Sequence, residues 1–414
     1  MKRMKLLITL TLLLATVLVF AACGNADTTA DITTDTPGTT EPIVTTTEAP
    51  VTTEAPVFES LTLGAADLKE YKIVYARSPH YQLANYAQYK DLFPIYDFDK
   101  ETAQRLSDLI FELSGIRLPI SMDTKTAIGE KEILIGETNR KDITNALALK
   151  DITTDDYLIK VQGTALVICG GEHGTTWHAI DYLETLWKNT LAQGKRTFSF
   201  ASDYEYRGKY HLTRIGCIGD SITAGVGSSS SERFAYPAQL QRYLWKDAVI
   251  YNFGNSGKTM RNDLNDAFVN TTTYTDALNA SAEMDIFTVM LGTNDSNRDR
   301  NWNNNSTAKY KESCELLFKN LSAKNPDMIF VIANCPAYFG ADGFGSAMVR
   351  SLQKQLLTEM NDKGYHTEFF DMYTPTRKMK EYFPDSLHPN DVGHMKMAEV
   401  FSVALEEIIN PKAE

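Results

Sequence analysis

Two patterns of apolar and polar positions divide the chain from Val57 onward. In the first, Tyr71-Lys72-Ile73-Val74-Tyr75 alternates like a half-buried strand. Residues 99–115 place Leu106, Leu109, Ile110 and Leu113 on one face of a helix that Gly115 closes. Glu132–Gly136 predicts a short strand, and Tyr157–Val161 with Ala165–Cys169 predict a hairpin across Gln162-Gly163-Thr164. A second helix is expected over about 174–189, carrying Trp177, Ile180, Leu183 and Trp187, with an edge strand at Thr197–Ala201. These elements predict a small α+β domain over 57–205. The second pattern alternates apolar strands with helices. Strands are expected at 214–218, 248–252, 286–291, 328–334 and 367–371, with helices near 236–246, 307–323, 346–363 and 391–408. That alternation predicts an α/β domain over 206–414, its parallel sheet covered on both faces, with ligands beyond the carboxyl ends of the strands.

The first 56 residues follow neither pattern. Met1-Lys2-Arg3-Met4-Lys5 is basic, and Leu6–Ala22 runs seventeen residues without a charge. This reads as a secretory signal over residues 1–22. Its exit, Phe20-Ala21-Ala22-Cys23-Gly24, resembles a bacterial lipobox, with Phe20 where Leu is more usual. The resemblance implies lipidation of Cys23 and a membrane partner through that anchor. The other reading is an uncleaved anchor, for which seventeen residues fall short of the ~20 of a spanning helix. Either one puts the rest of the chain outside the cell. Residues 27–56 hold twelve Thr, four Pro and a near repeat of Thr-Thr-Glu-Ala-Pro-Val, so 23–56 is expected to be a disordered stalk.

Composition narrows the classes. The chain has 414 residues and a net charge of −12; six acids and no base in 27–56 supply half of that charge. An acidic chain argues against a nucleic-acid partner. Five cysteines without a Cys-x-x-Cys pair exclude a disulfide-dense scaffold, a zinc ribbon and a thioredoxin-like motif.

The candidate chemistry lies at four strand ends of the second pattern. The first strand ends Gly219-Asp220-Ser221, a serine in a Gly-flanked turn that presents its hydroxyl above the sheet. The second is followed by Gly254-Asn255-Ser256-Gly257, where the Gly257 N–H is a candidate donor. The third ends Gly292-Thr293-Asn294-Asp295, with the Asn294 amide over the same edge. Last comes Asp385-Ser386-Leu387-His388, which places a carboxylate beside an imidazole. Each tripeptide alone is weak. In this order, over about 211–409, they resemble the SGNH or GDSL hydrolase superfamily. The resemblance implies a flavodoxin-like three-layer fold with strand order 2-1-3-4-5. It makes Ser221 the nucleophile, His388 the general base and Asp385 its orienting acid. The Ser221 N–H, the Gly257 N–H and the Asn294 side chain become the oxyanion hole. No metal or organic cofactor is called for.

The segment from Gly257 to Trp302 also resembles bacterial carbohydrate acetylesterases, which implies acetylated polysaccharide or oligosaccharide as substrate. Asp220, Arg298 and Trp302 are the candidate substrate-binding residues, the last two from the polar loop beside Asn294. Two rivals stand beside this reading: other short-chain acyl esters, and a surface carbohydrate-binding lipoprotein without turnover. The Ile133–Asn139 run and the hairpin ending Gly170-Gly171 resemble the accessory domain that precedes family 20 hexosaminidase and α-glucuronidase barrels, and bring no catalytic residue with them. His173, His178 and His394 are expected to pack rather than to ligate or catalyse, and Cys217 to be a buried thiol.

Overall fold

The computed structural model describes residues 57–77, 97–144, 147, 149–340 and 347–411. The signal sequence, Cys23 and the Thr/Pro-rich stalk lie outside the described residues. By its contacts the chain from Ala55 to Glu414 is one unit, built from two lobes that each carry a sheet.

In the first lobe β1 (Ser60–Leu63), β2 (Ala66–Asp67) and β8 (Thr197–Phe200) form a small sheet in the order β2-β1-β8. The larger sheet contains β3 (Lys72–Tyr75), β4 (Ile120–Met122), β5 (Glu132–Ile135), β6 (Asp156–Gln162), β7 (Ala165–Gly170) and β9 (Glu205–Lys209). Its order is β4-β3-β5-β7-β6-β9, with β4, β3, β5 and β7 parallel and β6 antiparallel to both of its neighbours. The expected α+β domain is therefore mixed, with a parallel half. Here β3 is not half-buried: Ile73 packs into one core with the helices Phe98–Ser114 and His173–Ala192, and Val74 into another with Leu134 and Val167. A parallel strand has both faces covered and shielded from water. The hairpin turn is two residues, Gly163-Thr164, since Gln162 still pairs with Ala165; Gly163 takes the φ of +64° that the turn demands. Strand β9 continues the sheet from Glu205 to Lys209, past the boundary expected at 205.

The second lobe is a five-stranded parallel sheet of β10 (Thr213–Gly219), β11 (Ala248–Gly254), β12 (Ile286–Met290), β13 (Ile329–Ala333) and β14 (His366–Phe370). Its order, β11-β10-β12-β13-β14, is 2-1-3-4-5 within the lobe, the flavodoxin-like arrangement. Helices Tyr236–Leu244 and Asp391–Ile409 cover one face around Ile215, Cys217 and Met397. Helices Asn304–Leu321 and Ala347–Asp362 cover the other around Ile218, Phe287 and Phe330. The helix Thr272–Ala280 has no counterpart in the sequence pattern, because it buries only Tyr274 and Ala277 and leans on a Thr271 cap to the Tyr274 N–H.

Aromatic rings join the lobes. Phe98 stacks on Trp245 at 4.8 Å between centroids, and Trp177 meets Trp245 edge-on at 5.5 Å. His178 lies over Tyr210 and bonds Asp181 (2.5 Å) and the Lys246 carbonyl (3.0 Å). His173 pairs with Asp99 at 2.9 Å. Both histidines pack, and among the described residues no three His, Cys, Asp or Glu are placed to hold a metal ion. Cys169, Cys217, Cys314 and Cys335 are buried free thiols.

Candidate active site

Strand β10 stops at Gly219 and the chain turns at once into the short helix Ser221–Ala224. Asp220 caps it, Oδ1 accepting the Ile222 N–H at 3.1 Å, and Gly225 closes it at φ +94°. The turn needs its glycines. A Cβ at Gly219 would lie 1.9 Å from the Thr223 hydroxyl, and one at Gly254 would lie 2.2 Å from the Ala224 nitrogen. Ser221 is thus pushed to the carboxyl edge of the central strand. As the first helical residue it has no intrahelical acceptor for its own N–H.

His388 arrives from 167 residues away. Its Nε2 lies 2.9 Å from Ser221 Oγ, and its Nδ1 lies 2.6 Å from Asp385 Oδ2. A carboxylate accepts only, so Nδ1 carries the proton, and Nε2 presents its lone pair to the serine hydroxyl. The other oxygen, Asp385 Oδ1, accepts the backbone N–H groups of Leu387 (2.9 Å) and His388 (2.6 Å). This tight turn forces Ser386 to φ +70°, the one non-glycine with positive φ among the described residues. Burial works to raise the Asp385 pKa, but the hydrogen bonds from the His388 N–H and ring and from the Leu387 N–H outweigh it and hold the carboxyl below its ordinary range. The Asp385 side chain is 57% exposed and that of His388 only 17%, so the imidazole is sheltered and its carboxylate partly wet.

Gly257 takes φ +78°, the left-handed region, and a Cβ there would meet nothing within 4 Å. Asn294 follows β12; its Nδ2 donates one hydrogen to the Lys258 carbonyl at 3.0 Å and keeps the second. The Asn255 N–H donates to the Gly219 carbonyl at 2.9 Å, tying the Gly257 loop to the Ser221 turn. Three hydrogen-bonded residues and two flanking donor candidates therefore meet at one sheet edge.

The three candidate substrate contacts have protein partners of their own. Asp220 is buried, 1% exposed; its Oδ1 holds the nucleophile turn through the Ile222 N–H, and burial pushes its pKa to about 6. Arg298 spends its Nε on Asp266 at 2.8 Å. Trp302 turns inward, its Nε1 donating to Thr307 at 3.0 Å and its ring packed near Tyr310 and Arg261. An indole and a guanidinium in a polar loop read as sugar contacts; in the fold the indole packs on the Asn304–Leu321 helix and the guanidinium places its Nε on Asp266.

Other residues bind the site together without a motif to announce them. Asp391 accepts both the N–H and the hydroxyl of Ser229 at 2.7 Å. His394, fully buried at the start of the last helix, accepts the Tyr236 N–H at Nδ1 (3.2 Å) and donates from Nε2 to the Val226 carbonyl (3.3 Å). Burial drives its pKa to about 4, so it is neutral. At Gly227, φ +95°, a Cβ would strike the Pro389 carbonyl at 2.4 Å. These contacts press the segment after Ser221 against the segment after His388. The only local signal was the spacing of Asp391 and His394 behind Pro389-Asn390.

Residues 217–396 match the model of the GDSL-like Lipase/Acylhydrolase family. An acetylxylan esterase of Xylanibacter ruminicola is 29% identical over 224 residues, which is 48% of this chain and 44% of that one. The chain thus spans less than half the length of that curated relative. Among solved structures, a carbohydrate acetylesterase family member from Sinorhizobium meliloti is 19% identical, covering 48% of this chain and 99% of its own, with a TM-score of 0.37. A family two carbohydrate esterase from Clostridium thermocellum, in complex with cellohexaose, is also 19% identical, covering 51% and 69%, with a TM-score of 0.37.

Proposed function

We propose that this protein is a serine esterase that removes acetyl or other short acyl groups from carbohydrate. The observation that carries the reading is the unbroken chain Ser221 Oγ–His388 Nε2–His388 Nδ1–Asp385 Oδ2, at 2.9 and 2.6 Å. His388 Nε2 takes the Ser221 proton as Oγ attacks the ester carbonyl carbon. The Asp385 carboxylate holds the ring in the accepting tautomer and stabilises the imidazolium. The carbonyl oxygen becomes an oxyanion that the Ser221 N–H, the Gly257 N–H and the free Asn294 amide hydrogen receive. The imidazolium then protonates the leaving alcohol, and water, deprotonated by the same Nε2, releases the acid from Ser221.

The similarity to an acetylxylan esterase supports acetylated polysaccharide as the substrate class. Trp302 packs against Tyr310 and Asp220 is buried in the nucleophile turn, which favours other groups at the rim of the sheet for recognition. The basic, apolar and small-residue run of 1–22, Cys23 and the Thr/Pro-rich stalk support export and a lipid anchor on the outer face of the membrane. There the lobe over 57–209 would serve as an accessory to the hydrolase lobe.

The test is acetate release from acetylated xylan by the purified protein, with Ser221→Ala as control. Release that disappears in the variant is expected. Cleavage of 4-nitrophenyl acetate but not of xylan would keep the esterase and remove that polymer. Failure of the wild type on every acyl ester tried would overturn the reading.

A further inference from the structure

The two oxyanion donors beyond Ser221 itself stand on loops the sheet does not hold together. Gly257 follows β11 and Asn294 follows β12, and these strands are not neighbours: β10 lies between them. The sheet ladder ends at Gly254 and Met290, so the separation of the donors depends on contacts beyond the strand ends.

Three hydrogen bonds join the loops next to the donors, and the Arg261–Asp299 and Arg298–Asp266 pairs join them farther out. Asn294 Nδ2 donates to the Lys258 carbonyl at 3.0 Å. The other two belong to Asp295: Oδ2 accepts the Met260 N–H and Oδ1 the Arg261 N–H, each at 2.9 Å. Asp295 is 0% exposed, and its two oxygens are each used by a backbone donor of the opposite loop. The Arg261 side chain does not bond it, reaching away to Asp263 and Asp299 instead. Just before Met260 in the same loop, Gly257 takes a left-handed φ and Lys258 offers its carbonyl to Asn294.

We propose that Asp295 is the positioning residue of the oxyanion hole, its carboxylate bridging the Gly257 loop to the Asn294 loop across the central strand. It touches no reacting atom. The proposal rests on the esterase reading above.

An amide at this position keeps the shape and replaces one acceptor by a donor, which then faces a backbone N–H. Asp295→Asn releases one of the two anchors. Removing an oxyanion donor outright costs about 10²–10³ in turnover, and a displaced one less, so kcat is expected to fall roughly 10–100-fold with KM within about threefold. A structural role alone would also lower the yield of folded protein, so the deciding readout is a double-mutant cycle with Asn294→Ala on 4-nitrophenyl acetate. If Asp295 acts through the hole, its substitution costs several-fold less in kcat once Asn294 is gone. Equal losses in both backgrounds, or unchanged kcat in folded Asp295→Asn, overturn the proposal. Should Asp295→Asn lack a cooperative melt, the same cycle with Asp295→Glu decides by the same criterion, since it keeps both acceptors and displaces them by one methylene. Absence of Ser221-dependent hydrolysis in the wild type would overturn the esterase reading itself, and this proposal with it.

Discussion

Replacing Asp385 by Asn tests the proposed mechanism at its most exposed member. The side chain oxygen of Asn can still accept the Leu387 and His388 N–H groups, so the turn should survive. The amide then meets His388 Nδ1 with hydrogens where the carboxylate offered a lone pair at 2.6 Å. The ring answers by moving its proton to Nε2, which points it at Ser221 Oγ, 2.9 Å away, and removes the base. Two effects add. A charge-assisted hydrogen bond contributes about 1.5–3 kcal/mol. A carboxylate–imidazolium pair about 4 Å apart is worth roughly 4 kcal/mol at an effective dielectric constant of 20. With 57% of the Asp385 side chain in water, screening removes a good part of the second effect. A total of about 3–5 kcal/mol corresponds to a loss of roughly 10²–10⁴ in kcat/KM. The assay is 4-nitrophenyl acetate hydrolysis from pH 6 to 10, with Ser221→Ala as the floor and a thermal melt to verify folding. A folded Asp385→Asn protein within threefold of wild type would refute the assignment of Asp385 as the group that orients His388.

Gly227→Ala should cost at least tenfold in kcat, together with roughly 1–3 kcal/mol of stability, because its Cβ would strike the Pro389 carbonyl beside His388; kinetics and denaturant melts on one sample check both. Trp302→Ala should lower stability by about 1–3 kcal/mol and leave KM for acetylated xylan unchanged, since the indole is packed against Tyr310 and held by Thr307; a several-fold rise in KM without loss of stability would contradict this placement. His394, with its pKa held down near 4, contributes stability that is present above pH 6.5 and lost as the pH falls toward 4. A shift of that size is on the order of 3 kcal/mol, so wild type should lose more stability than His394→Asn between pH 6.5 and 4 in parallel melts.

The alternation of apolar strands with helices after Thr213 was enough to predict a parallel sheet, because each strand carries its burial in its own run of side chains. The β12 run from Ile286 to Met290 is buried at every position, as a strand covered on both faces must be. Three of the four motifs were legible for a related reason: Gly219, Gly257 and Ser386 sit in turns whose backbone conformation or close approach is written locally. What the pattern could not carry was the direction of a loop side chain. Trp302 and Arg298 look like sugar ligands in the sequence; in the fold the Trp302 ring packs near Tyr310 with its Nε1 on Thr307, and Arg298 places its Nε on Asp266. The same limit applies to the first lobe, where β3 reads as half-buried until Val74 meets Leu134 and Val167 on its second face. Asp295, Asp391 and His394 matter through partners 34, 162 and 158 residues away. Periodicity reports which face of an element is apolar, a property of neighbours in sequence. Which backbone N–H a buried carboxylate receives is set only when distant strands have paired, and so it belongs to the tertiary structure.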